Sequence, residues 1–174
     1  AKAGERVRAI HRKNSSFVGV KKVFSYGRSS EEAEKLFATV EWVEADMTEV
    51  PALSLAFEDI NLVFHCAAFV SFSPSDHKKL RKINIEGTAN VVNQCIEKKV
   101  KKLCFVSSIA TFDLKLWHEQ IREVSFWYKE IDHSMYAISK FGAEMEVWRA
   151  SQEGVPIIIV NPGVIIGPGF WNTG

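Results

Sequence analysis

Residues Leu62–Ala67 read LVFHCA, a short run with almost no polar interruption. Such a run marks a central strand of a parallel sheet covered on both faces, because a half-buried strand would alternate instead. Working outward, Leu80, Ile83, Gly87, Val91 and Cys95 recur at helical spacing between about Asp76 and Lys98. The KKVKK run at 98–102 falls where that helix ends, and cations there suit the carbonyl end of its dipole. Leu103–Val106 reads as another strand ending in Ser107-Ser108. A helix follows from about Ser134 to Ser151, and then the strongly apolar VPIIIV at 155–160.

Toward the N-terminus, Val7–Ile10 reads as a strand followed by the polar loop HRKNSS. Ser29-Ser30-Glu31-Glu32 forms a capping box ahead of AEKLF, so a helix starts there. Val43–Ala45 is the next short strand, and Pro51 suits the first turn of a small helix running to about Glu58. Strands alternating with crossover helices give an α/β fold, a Rossmann-like doubly wound parallel sheet.

The 174 residues match one domain in length, and 47% hydrophobic with 25% charged residues is the mix of a globular protein. The net charge of +1 gives no overall pull toward nucleic acid or an acidic membrane. No apolar stretch is long enough to cross a bilayer, and AKAGERVRAI has no signal-peptide character. Cys66, Cys95 and Cys104 show no CxxC spacing and read as small buried thiols in a reducing compartment. The expected setting is the cytoplasm.

Tyr136 and Lys140 lie four residues apart, hence on one face of the helix YAISKFGAEMEVW. A phenol is a poor acid–base group at neutral pH. An ammonium about 5 Å away, at an effective dielectric of ~20, favours the phenolate by ~3 kcal/mol. The spacing alone is a weak signal, since chance supplies about 0.26 such pairs in a chain of this composition. Ser108 strengthens it. It ends an apolar strand 28 residues earlier, at the carboxyl edge where open α/β sheets bind ligands. A hydroxyl there donates to a carbonyl oxygen while Tyr136 gives or takes the proton.

The blocks VFHCAA (63–68), NIEGT (84–88), LCFVSSIATF (103–112), YAISKFGAE (136–144) and VNPGVIIGPG (160–169) run in order along the chain. Together they resemble the extended short-chain dehydrogenases/reductases, the NAD-dependent epimerase/dehydratase family. The resemblance implies a Rossmann fold, bound NAD or NADP, and hydride transfer at a carbon bearing oxygen in a small-molecule substrate. It assigns Tyr136 as acid–base group, Lys140 to the nicotinamide ribose and to the tyrosine, and Ser108 to the reacting oxygen, all three catalytic and cofactor-binding. Asp46 and Met47 resemble the pair that meets the adenine. Cys66, Ala67, Ala68 and Val70 resemble the strand end beneath the dinucleotide. Pro162 and Gly163 resemble the backbone beside the nicotinamide, with Asn161 facing that ring or the substrate, and Asn84 is structural. A homodimer built on the Tyr–Lys helix is a further option of the family.

The family's glycine-rich pyrophosphate loop has no counterpart, and Gly167-Pro168-Gly169 is a turn after a late strand. Both ends therefore read as interrupted. Residues 1–174 are expected to form a partial NAD(P)-binding domain, lacking the first strand and its loop upstream and a substrate-binding portion downstream. Alone, the chain is expected to be inactive and to bind nicotinamide cofactors no tighter than millimolar. Arg12 and Lys13 follow the first visible strand, where NAD-preferring folds place an acidic residue, and they suit a 2′-phosphate.

Other signals fail. Arg122 occupies the second histidine position of the HExxH-like string at His118-Glu119, which excludes a zinc site there, and no GxSxG surrounds Ser108. No metal, nucleic-acid or membrane partner is expected. Trp117, Phe126, Trp127 and Tyr128, with Phe72 and Trp171, either roof an apolar substrate pocket or pack the loop. Three readings stand: a carbonyl reductase resembling dihydroflavonol reductases and hydroxysteroid dehydrogenases; a nucleotide-sugar epimerase or dehydratase; and a non-catalytic NADP sensor, disfavoured by the retained Tyr–Lys pair.

Overall fold

The computed structural model describes residues 4–113, 120–125, 127–128 and 132–166. It divides into two compact units, one of residues 1–56 with 166–174 and one of residues 57–165. All strand pairs are parallel, as the alternation of strands and helices requires.

In the first unit, β1 (Val7–His11) pairs with β2 (Val40–Glu44). Between them lie α1 (Val18–Ser25) and α2 (Ser30–Ala38), and α3 (Val50–Ala56) follows. The capping box of α2 is formed: Glu32 N donates to Ser29 Oγ at 3.2 Å, and Ser29 N donates back to Glu32 Oε2 at 3.0 Å. Helix α1 was not visible in the sequence because it has no side-chain N-cap and carries no residue buried enough to mark a stripe. Aromatic packing holds it instead. Phe17 meets Trp42 edge-on at 4.9 Å, and Phe24 meets Phe37 at 5.7 Å.

In the second unit, β3 (Leu62–His65), β4 (Lys102–Val106) and β5 (Ile157–Val160) form a three-stranded sheet in that order. The crossover from β3 to β4 begins with a 3-10 turn (Pro74–Asp76) and α4 (His77–Leu80). It continues as a π-helical segment (Arg81–Glu86) and α5 (Gly87–Glu97). A 3-10 turn (Ile109–Thr111) follows β4, and α6 (Met135–Gln152) leads to β5. Ser134 caps α6 by accepting from Ala137 N at 3.1 Å. Gly154 ends it at φ +90, a conformation that favours glycine.

Two expectations need correction. The apolar run of β3 is not covered on both faces among the described residues. His65, Leu103 and Phe105 are buried with Val91, Val92, Cys95, Ala143 and Val147 of α5 and α6, whereas Leu62 and Phe64 are 55% and 73% exposed. The buried residues of this unit's two long helices account for one face of its sheet. Likewise, only Cys95 is a buried thiol; Cys104 is half-buried, and Cys66 is exposed just past the end of β3.

Candidate active site at the carboxyl ends of β3, β4 and β5

Helix α6 buries a stripe of Ala137, Lys140, Ala143, Glu144, Val147 and Ala150, at the three- and four-residue spacing of one helical face. Two charged residues inside that stripe demand a polar destination. Lys140, 2% exposed, donates from Nζ to the carbonyl oxygen of Val106 at 2.8 Å, and the ammonium stands 4.5 Å from the centre of the Phe105 ring. The Tyr–Lys helix is thereby tied to the end of β4, two residues before Ser108. Burial pushes the Lys140 pKa down to about 8, against the upward pull of Glu144 and Cys66.

Ser108 caps the 3-10 turn, and its Oγ accepts from Ala110 N at 3.2 Å. As an acceptor there, the hydroxyl keeps its own proton for another partner. Tyr136 is half-buried, with the exposed ring of Phe72 at 5.6 Å. Asn161, just past β5, turns its amide nitrogen inward to Ser108 O at 3.2 Å, Thr111 Oγ1 at 2.9 Å and Glu144 Oε2 at 2.9 Å. This inward orientation differs from the ring- or substrate-facing role implied by resemblance.

Asn84 ties the segment after β3 to α6. It accepts from Phe69 N at 2.7 Å and donates to Phe69 O and Ser139 Oγ, both at 2.9 Å. It does so from within the π-helical segment. Gly142 lies on the adjoining turn of α6, where a Cβ would come within 2.7 Å of Ile85 Cδ1.

Cys66, Ala67, Ala68 and Val70 are exposed, as is Gly163, while Pro162 is half-buried. A Cβ at Gly163 would meet nothing within 4 Å, so the chain leaves open space there. Burial and Cys104 push the Cys66 thiol up, opposed by Lys140. His65 sits beneath this edge, with Nε2 2.9 Å from Thr88 Oγ1, and burial followed by the Lys140 charge lowers its pKa to about 4. Small exposed residues beside a buried ammonium fit the nicotinamide half of a dinucleotide, which needs close backbone approach and hydroxyl-binding donors.

Arg12, Lys13, Asp46 and Met47 belong to the first unit. Arg12 and Lys13 are exposed after β1, in a turn closed by Ser15 N donating to Arg12 O at 2.9 Å. Asp46 Oδ1 accepts from both N and Oγ1 of Thr48 at 2.8 Å, and Met47 is 7% exposed. Trp127 packs the loop: it stacks on His133 at 3.5 Å and on Phe141 at 4.4 Å. Tyr128 N donates to Asp113 Oδ2 at 2.6 Å. Trp117, His118, Glu119, Phe126, Gly167-Pro168-Gly169 and Trp171 lie outside the described residues. Among those described, no helix is long and apolar enough to cross a membrane, and no cluster of three or more His, Cys, Asp or Glu could hold a metal ion.

Sequence reading gave no role to Ser107, Thr111 or Glu144, which form one buried network. Ser107 Oγ donates to Glu144 Oε2 at 2.6 Å, and Thr111 Oγ1 lies 3.2 Å from the same oxygen. The available signal was a glutamate four residues after Lys140, on the buried face of α6.

Known proteins resemble this chain in sequence and in fold. The sequence profile of the family described as "Male sterility protein", an NAD-binding family, matches residues 6–173. A dihydroflavonol 4-reductase of Gerbera hybrida is 29% identical over 140 residues, 75% of this chain and 38% of that protein. A 3beta-hydroxysteroid-dehydrogenase/decarboxylase of Arabidopsis thaliana is 29% identical over 131 residues, 75% of this chain and 30% of that one. The chain therefore spans between about three tenths and two fifths of the length of these two relatives. Among solved structures, UDP-glucuronic acid 4-epimerase from Bacillus cereus in complex with NAD superposes with a TM-score of 0.73. That match has 19% identity and covers 97% of this chain and 51% of that one, which makes the architecture Rossmann-like.

Proposed function

This chain belongs to the male sterility protein family, and from that membership we propose that it serves NAD(P)-dependent reduction of a carbonyl group, with Ser108, Tyr136 and Lys140 as its catalytic residues. The observation that carries the reading is the 2.8 Å bond from Lys140 Nζ to Val106 O. It ties the helix of Tyr136 to the end of the strand that leads into Ser108. The identity to reductases and hydroxysteroid dehydrogenases supports reduction over the epimerase reading.

The chemistry a bound nicotinamide supplies is hydride transfer at the carbon bearing oxygen. The chain's own residues manage the oxygen. Ser108 Oγ–H donates to the carbonyl oxygen and stabilises the charge that grows on it. Tyr136 donates its phenolic proton to that oxygen. The Lys140 ammonium, one helical turn away, stabilises the phenolate left behind and offers its remaining N–H groups to ribose hydroxyls. Cys66, Ala67, Ala68, Val70, Pro162 and Gly163 are the residues that would hold the dinucleotide in this unit, with Asn161 positioned through Ser108. Asp46 and Met47 are the adenine candidates, and Arg12 and Lys13 are the groups that would select the 2′-phosphate of NADP. A small-molecule ketone or aldehyde is the substrate.

The test is substrate-dependent oxidation of NADPH, followed at 340 nm, by the full-length polypeptide. The reading expects turnover with apolar aldehydes or ketones. Interconversion of nucleotide sugars with no turnover on any carbonyl compound would overturn it.

A further inference from the structure

The buried carboxylate of Glu144 is used by none of the three proposed catalytic residues. Its surroundings nevertheless converge on them. Oε2 faces Ser107 Oγ at 2.6 Å, Asn161 Nδ2 at 2.9 Å and Thr111 Oγ1 at 3.2 Å, while Trp148 Nε1 approaches Oε1 at 3.4 Å. Amide and indole nitrogens can only donate, and the Ser107 hydroxyl donates here as well. Both carboxyl oxygens thus face nitrogen donors, an arrangement in which a carboxylate is the common acceptor.

Those donors come from the residue before Ser108, from the 3-10 turn after it, and from the residue following β5. Asn161 Nδ2 also reaches the carbonyl oxygen of Ser108 at 3.2 Å, and Thr111 Oγ1, whose single proton serves one acceptor at a time, lies 2.9 Å from that oxygen. The backbone carrying Ser108 is thus gripped on both sides through a single carboxylate. A buried anion needs a counter-charge. Lys140 is buried one turn earlier on the same helix, where the two groups attract.

We propose that Glu144 is a positioning residue of the reduction: it fixes Ser108 through Ser107, Thr111 and Asn161, and it is the anion that keeps Lys140 an ammonium. The inference rests on the reading of Ser108, Tyr136 and Lys140 given above. The groups that interact with Lys140 among the described residues are His65 from β3, Cys66 just after it, the Phe105 ring and Val106 carbonyl from β4, and Glu144 from α6. His65 is neutral at pH 7 and Cys66 is a thiol, so Glu144 supplies the negative charge.

The variant Glu144→Gln keeps the shape and one acceptor but removes the charge. Side-chain NMR of Lys140 in the 174-residue chain reads the first effect. The titration midpoint, about 8 in the wild type, should fall by about one unit or more. In the full-length polypeptide the alkaline limb of the kcat/KM profile should move down with it, whereas a merely structural loss would lower the profile without moving its limb. A Lys140 midpoint unchanged within about 0.3 units, against the 1 to 3 units an adjacent opposite charge contributes, overturns the proposal.

Should the variant not fold, the wild type decides. The 13C carboxyl shift of Glu144 at pH 7 is expected at the carboxylate position, and the carboxylic-acid position overturns the proposal. Absence of carbonyl turnover in the wild type would instead sink the functional reading and leave the NMR result standing.

Discussion

Replacing Lys140 with methionine should change how stability responds to alkali, and the size of the change follows from the burial of one ammonium. In the folded chain the Lys140 pKa is lowered from 10.5 to about 8, with burial the largest cause. The unfolded chain keeps its proton up to the ordinary value, so between these limits the unfolded state binds more protons than the folded one. Unfolding free energy therefore rises with pH across that window. Each pH unit is worth about 1.4 kcal/mol, so the span from 10.5 to about 8 is worth about 3 kcal/mol. Below pH 8 the group is charged in both states and contributes no slope.

Urea unfolding of the wild type and Lys140→Met at pH 7, 8, 9 and 10 measures the effect. The difference in unfolding free energy should be level up to pH 8 and then change by about 2–3 kcal/mol in favour of the wild type by pH 10. Cys95, whose thiol burial pushes up to about 12, acts in the opposite direction but is common to both chains and cancels. A difference that stays level to pH 10 would refute the claim that this ammonium is buried and charged at neutral pH.

His65 reports the same region from the acid side. Its pKa is lowered from 6.5 to about 4 by burial and by Lys140, so stability should fall as pH drops through that interval. The loss amounts to about 3 kcal/mol, and His65→Leu should remove that part of the slope in the same assay. Reversing the exposed charge at Arg12 (Arg12→Glu) in the full-length polypeptide should weaken NADP at least tenfold while leaving NAD within about twofold. Calorimetric titration of both cofactors checks this, and equal losses would dismiss a 2′-phosphate role.

The strands were legible because β3, β4 and β5 carry dense β-branched and aromatic runs bounded by polar residues, and α2 because Ser29 and Glu32 announce its start. Helix α1 was not legible, since aromatic contacts made by Phe17 and Phe24, distant in sequence from their partners, hold it in place. The π-helical segment at Arg81–Glu86 was invisible for a related reason. Its wider turn accompanies the bonds Asn84 makes to Phe69 and Ser139, which no local periodicity encodes. At the candidate site, Ser108, Tyr136 and Lys140 stood out through spacing and chain order. Glu144 did not, because a glutamate in a helix usually faces solvent, and only the donors on Ser107, Thr111 and Asn161 reveal that this one does not.

Single-turnover absorbance at 340 nm with the full-length Tyr136→Phe variant bears most directly on the account, because it removes one hydroxyl and nothing else. The expected result is unchanged NADPH affinity with carbonyl reduction slowed by at least about a thousandfold, the loss of a positioned general acid and the charge stabilisation it provides. Reduction at more than a tenth of the wild-type rate would mean that another group delivers the proton.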